Sequence, residues 1–511
     1  MFLSFAKKNL HILAVASVIL FIHWYNNFFT TYGFFRDELY YIACSEHLSF
    51  GYVDQPPLCA FILRSIRSIF GDSIFAVRLL PSLAHAGTVI IAGSISRQLG
   101  GNRFAQLLAS ILMAVAPGIV GITGIYSMNA IEILLWALTF FMILWLIETN
   151  EPRYWIVIGF LLGIGLMNKI SMGWMAVGLA AGVCTTPMRH WLKTPWPWYA
   201  AGLAVILFLP YIIWNIQNDF AHFEFAKNAA RLKYASQNPV TFVTGVFTLY
   251  NPLAVPVWGA GFFVIFRHPK REVRSIGIII ITVLAILLMN GNSKAEYFNP
   301  AMVVLFAAGS VQIERWISAQ FRWIGVMYTV VLASTGLMIM PMAIDLLPPD
   351  RLQEYMHSLG IPIQNTEGHS MGMLPQHFAD RFGWESLTSD IAEVYRNIDD
   401  KEKPLTTIYV QNYGEASAID FYGVQYELPK VMCGHNSYWL WGLERLNDSV
   451  EVLIAVGGSM IDYSDTFSEV VQMKTHSSEY AMPYENNLPI FLCRKPRLRI
   501  RTVWNSTKKY I

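Results

Sequence analysis

Charge is what this chain of 511 residues has least of: Asp, Glu, Lys and Arg together make up 14% of it. Soluble globular proteins carry about 25% charged residues. The chain therefore lacks the charge to coat a water-facing surface, and disorder and coiled coil are excluded with it. A basic excess is also missing. The net charge is only +2, which excludes nucleic-acid binding by bulk charge. Cysteine is scarce as well, five in all, too few for a disulfide framework. Cys184 is expected in the membrane core. Cys433 with Cys493, and Cys44 with Cys59, are pairs that an oxidising compartment could bridge, but free buried thiols are the expectation. Internal repeats and low-complexity tracts are lacking too. What abounds is apolar surface, with 54% hydrophobic residues and a mean hydropathy of +0.40. Much of that surface must face lipid.

Apolar runs near the length of about 20 residues that crosses a bilayer recur at 10–29, 74–99, 104–118, 130–147, 154–168, 172–187, 198–214, 242–266, 276–289, 300–312 and 323–344. The fold class this predicts is an α-helical polytopic membrane protein with about 11 transmembrane helices. The first run follows Lys7 and Lys8, yet it continues into Trp24, Tyr25 and Asn26 without a small-residue cleavage site. It reads as a retained anchor entering from the cytoplasm. Every short inside turn then holds a basic residue: Arg97 and Arg103, Arg153, Arg189 and Lys193, Arg315 and Arg322, with the densest cluster at Arg267-His-Pro-Lys-Arg-Glu-Val-Arg274. An odd number of crossings places the C-terminus outside.

Pro348-Pro349-Asp350 marks a change of character. Residues 1–344 are expected to form the membrane domain, with a first outer loop at 30–73, and residues 345–511 a soluble α/β domain. Strands are predicted at 405–410, 450–456 and 469–473, and helices at 387–398 and 415–422.

An acid near lipid is costly and marks a functional candidate. Here the polar groups gather at the outer ends of the apolar runs: Arg36-Asp37-Glu38, Asp54-Gln55, Asn129 with Glu132, Lys169, Asp219 and Glu224, and Lys294 with Glu296 and Tyr297. One shared site at the outer face is the economical explanation. Asp37 and Glu38 open a short helix, where carboxylates favour the positive end of the dipole. The bland alternative is an interfacial helix that lays Leu39, Tyr40, Tyr41 and Ile42 along the membrane. Pro56-Pro57 forces Gln55 into an extended conformation and starts another helix, which holds Asp54 in a stiff turn. Ser127 is a plausible N-cap that puts Glu132 a turn inside, where it could also serve as a cap or helix–helix contact. Lys169 could simply snorkel. His47, His85 and His222 show no tight metal-ligand spacing.

Taken in order, Asp37-Glu38-Leu-Tyr-Tyr, Gly51-Tyr-Val-Asp-Gln-Pro-Pro-Leu, Arg78-Leu-Leu-Pro, Ser127-Met-Asn-Ala with Glu132, Gly165-Leu-Met-Asn-Lys169, Pro210 with Trp214-Asn215, Asn251-Pro252 and Lys294-Ala-Glu-Tyr297 resemble the GT-C membrane glycosyltransferases. They look like bacterial members of glycosyltransferase family 39, relatives of protein O-mannosyltransferases and of the lipid A aminoarabinose transferase. Phe382-Gly-Trp384, Asn412-Tyr-Gly-Glu-Ala416 and Gly434-His-Asn-Ser-Tyr-Trp439 extend the resemblance into the outer domain.

The resemblance implies an inverting transfer from a polyprenyl-phosphate sugar to an extracytoplasmic lipid, glycan or protein, in the bacterial inner membrane. By that resemblance Asp37 is the base, with Glu38 orienting the acceptor or capping the helix. Asp54, Tyr41, Asn129 and Glu132 shape the site. Phosphate contacts fall to Lys169, Lys294, Tyr297 and Arg231, with Lys233 nearby and with Gln55 where a relative carries lysine. Many relatives carry aspartate at the position of Asn129, and Glu132 is the substitute charge. The cofactor expectation is none, with a divalent metal at Asp54 left open. The competing class is a transporter or flippase of lipid-linked sugars, which would need paired charges near the midplane and inverted repeats. As for Asn412-Tyr-Gly-Glu, it lacks a phosphate-loop pattern and reads as an ordinary strand-to-helix turn.

Overall fold

Each apolar run of the sequence becomes helical. The computed structural model describes residues 9–233, 238–317, 319–363, 370–445 and 449–511; Lys7 and Lys8 lie outside them, as does the side chain of Lys233. Among the described residues, six helices are long and apolar enough to cross a membrane, or up to eight if each of two bent pairs is one span. Tyr154–Asn168 and Met172–Thr185 are shorter apolar helices. A proline opens the segment after each bend. Arg103–Val115 and Pro117–Thr123 meet at 57°, because Pro117 lacks an N–H to continue the first helix and restarts a second at its own N-terminus. The 91° break before Pro252–Arg267 turns on Asn251, whose φ of 65° lies in the left-handed region that asparagine tolerates.

The chain divides into two compact units. The first comprises Met1–Phe29, Phe70–Ile213 and Ser236–Leu346, and the second Thr30–Ile69, Trp214–Ala235 and Leu347–Ile511.

Within the first unit, Asn299–Trp316 is enclosed from Asn299 through Ile313, as expected of a helix that is apolar all round. Met172–Thr185 and Arg274–Met289 pack through Gly178-Leu-Ala-Ala-Gly182. A Cβ on Gly178 would stand 2.8 Å from Ile279 Cα, and one on Gly182 would stand 2.9 Å from the Ser275 carbonyl oxygen. Small residues at that spacing let helix backbones approach in lipid, where no hydrophobic force drives association. Cys184 is not in the core of this unit; it lies on the exposed face of its helix.

Within the second unit, five strands form one sheet: β1 Thr406–Val410, β2 Val431–Cys433, β3 Val452–Val456, β4 Phe467–His476 and β5 Leu488–Pro496, in the order β2-β1-β3-β5-β4. β1 runs parallel to β2 and β3, with Tyr413–Tyr422 and Ser437–Arg445 as crossover helices. β5 is antiparallel to β3 and β4. β2 and β5 escape sequence reading because the first has three residues and the second begins and ends near prolines. Cys433 on β2 and Cys493 on β5 have β1 and β3 between them. That puts them about 14 Å apart at the usual strand spacing, beyond the roughly 7 Å limit for a disulfide. Both are buried free thiols, as is Cys44.

The segment Thr30–Ile69 shares the sheet's core: Tyr40, Ala43, Cys44, Tyr52 and Ala60 cluster with Ile408, Val431 and Ile454. The helix Arg36–Glu46 is consequently not interfacial. Every residue from Glu38 through Ser45 is buried, because the aromatic face that could lie on lipid packs against protein instead.

Candidate active site

The second unit builds a carboxylate cluster around Arg36–Glu46. Phe35 is extended and precedes the helix; its N–H donates to Glu38 Oε2 at 2.9 Å. Glu38 is thus the cap of its own helix, fully enclosed, as an acid in a first turn should be. Asp37, one position earlier, points the other way. Its side chain is 38% exposed and lies 3.5 Å from Arg36 Nε, and its Oδ1 accepts from the Tyr413 hydroxyl at 2.8 Å. Both contacts fall on Oδ1, so among the described residues Oδ2 is left open.

Arg36 is anchored in turn. Its Nη1 donates to the Tyr484 hydroxyl at 2.9 Å and lies 3.6 Å from Asp380 Oδ2, and the Tyr484 hydroxyl donates to Asp380 Oδ1 at 3.0 Å. Burial lifts the Asp380 carboxyl above its ordinary range, and Arg36 pulls part of that back. The approach of Arg36 needs Gly414: a Cβ there would stand 2.5 Å from Arg36 Cγ.

Asp54 sits in a matching arrangement. Its Oδ1 accepts from the Tyr40 hydroxyl at 2.8 Å, and the Tyr40 and Tyr413 rings pack with centroids 4.8 Å apart. Burial pushes both phenols well above their ordinary values. Each tyrosine therefore stays protonated and donates to its own carboxylate. Tyr41 is buried beside them. Gln55 is turned inward, 2% exposed, with its amide 3.7 Å from Cys44 Sγ. Arg231 is exposed on the turn Ala229–Lys233.

Tyr413 is the residue that sequence reasoning missed. It opens the helix after β1, where the Asn412 side chain caps by accepting from the N–H groups of Gly414 at 2.8 Å and Glu415 at 3.1 Å. The turn is ordinary as a turn, and the signal lay in its tyrosine. Behind it, Asn412 Nδ2 donates to Glu415 Oε1 and to Glu485 Oε1, each at 2.9 Å. Burial raises both acids, Glu415 to about 7.

The first unit builds a separate cationic cluster. Ser127 caps Met128–Thr149, accepting from the Asn129 N–H at 3.3 Å. Lys169, just past Tyr154–Asn168, donates to Asn129 Oδ1 and Glu132 Oε2, each at 2.7 Å. Ser171 Oγ donates to the other Glu132 oxygen. Lys169 is no snorkelling side chain: it is ion-paired at 16% exposure. Its ammonium also lies 5.2 Å from the Tyr297 ring centroid, a cation–π distance. Asn129, Glu132, Lys169, Glu296 and Tyr297 line one narrow cleft. Lys294 is half-buried just before this tyrosine's turn, Ala295–Phe298.

A second polar network of this unit was not anticipated. Arg78 and Asp345 are both fully enclosed, 3.3 Å apart. Asn26 Nδ2 donates to Asp345 at 2.9 Å, and His23 and His85 are in ring-nitrogen contact at 2.9 Å.

Among the described residues, no group of three or more His, Cys, Asp or Glu is arranged to hold a metal. Asp54 Oδ1 accepts from Tyr40 instead of joining such a group.

Residues 54–214 match the family model described as dolichyl-phosphate-mannose-protein mannosyltransferase. The lipid A galacturonosyltransferase RgtD of Rhizobium johnstonii is 22% identical over 289 residues, covering 55% of this chain and 60% of that protein. The match thus spans less than two thirds of the relative's length. The crystal structure of ArnT from Cupriavidus metallidurans bound to undecaprenyl phosphate superimposes with a TM-score of 0.59 at 11% identity, over 95% of this chain and 98% of that one. The archaeal oligosaccharyltransferase AglB from Archaeoglobus fulgidus, in complex with an inhibitory peptide and a dolichol-phosphate, gives 0.51 at 12% identity, over 90% and 70%. The chain is a polytopic membrane protein with the GT-C fold. Within that class, the resemblance read from its sequence is borne out.

Proposed function

We propose that this protein is an inverting glycosyltransferase of the bacterial inner membrane, with residues 345–511 on the extracytoplasmic side. It takes a sugar from a polyprenyl-phosphate donor and passes it to a lipid, glycan or protein acceptor. The observation that carries the proposal is Asp37: a half-exposed carboxylate held on one oxygen by Tyr413 and Arg36, with the other oxygen open. That is the form a general base requires. The acceptor hydroxyl attacks the anomeric carbon and yields its proton to Asp37 Oδ2 as the carbon–oxygen bond to phosphate breaks. The phosphate departs with the bonding electrons on its own oxygen, so no carboxylic acid is needed to protonate it. Cations must stabilise the growing charge. Lys169, Lys294 and Arg231 are the proposed contributors, with Tyr297 adding a hydroxyl. Glu38 acts through the helix it caps, and Asp54 and Tyr41 shape the acceptor side.

Two similar proteins support the reading. The ArnT structure holds undecaprenyl phosphate, and RgtD is named as a sugar transferase acting on lipid A. The test is Asp37→Asn in vesicles supplied with lipid-linked donor. Transfer should fall by about 10²–10⁴-fold, with expression and donor binding retained. Near-normal turnover would remove Asp37 from the base role.

A further inference from the structure

We infer that the unit of apolar helices carries a second anion site, at the end of its helices opposite Lys169, which takes a phosphate group from a membrane-lipid headgroup or from solution. Met172–Thr185 begins just after Lys169, runs for 14 residues, about 21 Å at the usual helical rise, and ends at a cavity of about 990 Å³. Arg274–Met289 starts at the same cavity and leads back toward Tyr297. The cavity is therefore distinct from the cleft around Lys169.

Its polar lining is of one sign. Arg189, His190, Lys193, Arg271 and Arg274 face it, and no carboxylate does. Among the described residues, none of the four permanent cations has an ion-pair partner. Their mutual repulsion is unrelieved by any paired carboxylate. An independent observation points to a missing acceptor: Arg274 Nε is buried with no hydrogen-bond partner. A buried donor left unmet is costly, and a phosphate oxygen would satisfy it while neutralising its neighbours. The His190 Nδ1 lies 2.8 Å from the Pro187 carbonyl oxygen, which fixes the ring and leaves Nε2 for a ligand.

Size and walls favour the headgroup source. The volume far exceeds one phosphate and suits a glycerophosphate headgroup. Leu192, Phe266 and Ile278 add an apolar wall against which the first carbons of an acyl chain can lie. Basic pockets between membrane helices are known to take such groups.

The test uses the full chain in detergent micelles, with thermal unfolding followed while phosphatidylglycerol, phosphatidylcholine or inorganic phosphate is added. Phosphatidylglycerol should raise the midpoint of the wild type and phosphatidylcholine should not. The half-saturating concentration should rise about tenfold or more in Arg271→Gln/Arg274→Gln and, separately, in Arg189→Gln/Lys193→Gln. The second pair lies on the surface turn Pro187–Lys193 and guards against misfolding of the first. A response to inorganic phosphate that the same variants lose would support the anion site and name the soluble source. Equal responses to the two lipids, no response to any anion, or variants that respond like the wild type would overturn it. None of these readouts depends on sugar transfer, so the site stands or falls apart from the proposed enzymatic activity.

Discussion

The Tyr413 hydroxyl donates to Asp37 Oδ1 at 2.8 Å across 376 positions of sequence. The acid proposed as base is thus oriented by the first residue of a sheet-domain helix as well as by its neighbour Arg36. Tyr413 touches the base and acts through it, which makes it a positioning residue. Tyr413→Phe should lower kcat by roughly tenfold, in keeping with loss of a hydrogen bond to a charged group, while KM for the lipid-linked donor stays within about twofold. A rise in donor KM with kcat unchanged would place Tyr413 in donor binding instead.

Lys169 and Glu132 are a nearly enclosed pair at 2.7 Å. Removing one partner strands the other, at a cost of about 3–5 kcal/mol for a buried pair. Glu132→Gln and Lys169→Ala should each lower thermal stability, and the double variant should lose clearly less than their sum. Additive losses would mean that the pair is not coupled. In transfer assays, Lys169→Ala should raise the donor requirement more than the acceptor requirement; the reverse ranking counts against phosphate contact.

Glu415 is enclosed, and burial raises its carboxyl to about 7 from an ordinary value of 4.5. An acid raised on folding binds its proton more tightly in the native state. Its contribution is therefore fully present below pH 4.5 and is lost as pH climbs through about 7. Stability of the sheet unit should fall across that window, by up to about 3 kcal/mol. Glu415→Gln, which cannot ionise, should reduce the slope of the profile across that window, the remaining slope belonging to Glu485, which burial also raises. Parallel wild-type and variant profiles in a pH series of Tm measurements would refute this.

Asp54 and Asp37 occupy like positions against a pair of packed, tilted tyrosine rings, yet different roles are proposed for them. Asp54→Asn keeps an acceptor for Tyr40 and should retain far more transfer than Asp37→Asn. If the two variants were equally inactive in one vesicle assay, Asp54 would share the proton-accepting role.

The apolar helices were legible because a run of some 20 lipid-compatible residues has few other structures available. Ser127 as a cap and the helix starts at Arg36 and Leu58 were legible because caps and prolines act within a few residues. What failed was long-range. The face of Leu39, Tyr40 and Ile42 suits lipid or a protein core equally, and only the fold decides that it joins Ile408 and Ile454. Gln55 is enclosed against Cys44, which its place before Pro56 does not announce. Tyr413, Tyr484 and Asp380 come from three separate stretches, and no local pattern announces that they converge on Arg36.

Arg78 stands at the start of Leu79–Gln98, whereas its counter-ion, Asp345, follows the last apolar helix, Arg322–Ile339. A ribosome makes the cation long before it makes the acid. Until residue 345 emerges, the nascent bundle holds a guanidinium with no Asp345 to neutralise it, an arrangement that costs several kcal/mol in an enclosed setting. Closure of the early helices must then wait for the late one. Chains truncated just before Asp345 should insert but remain open to added protease, whereas chains extending past it should resist.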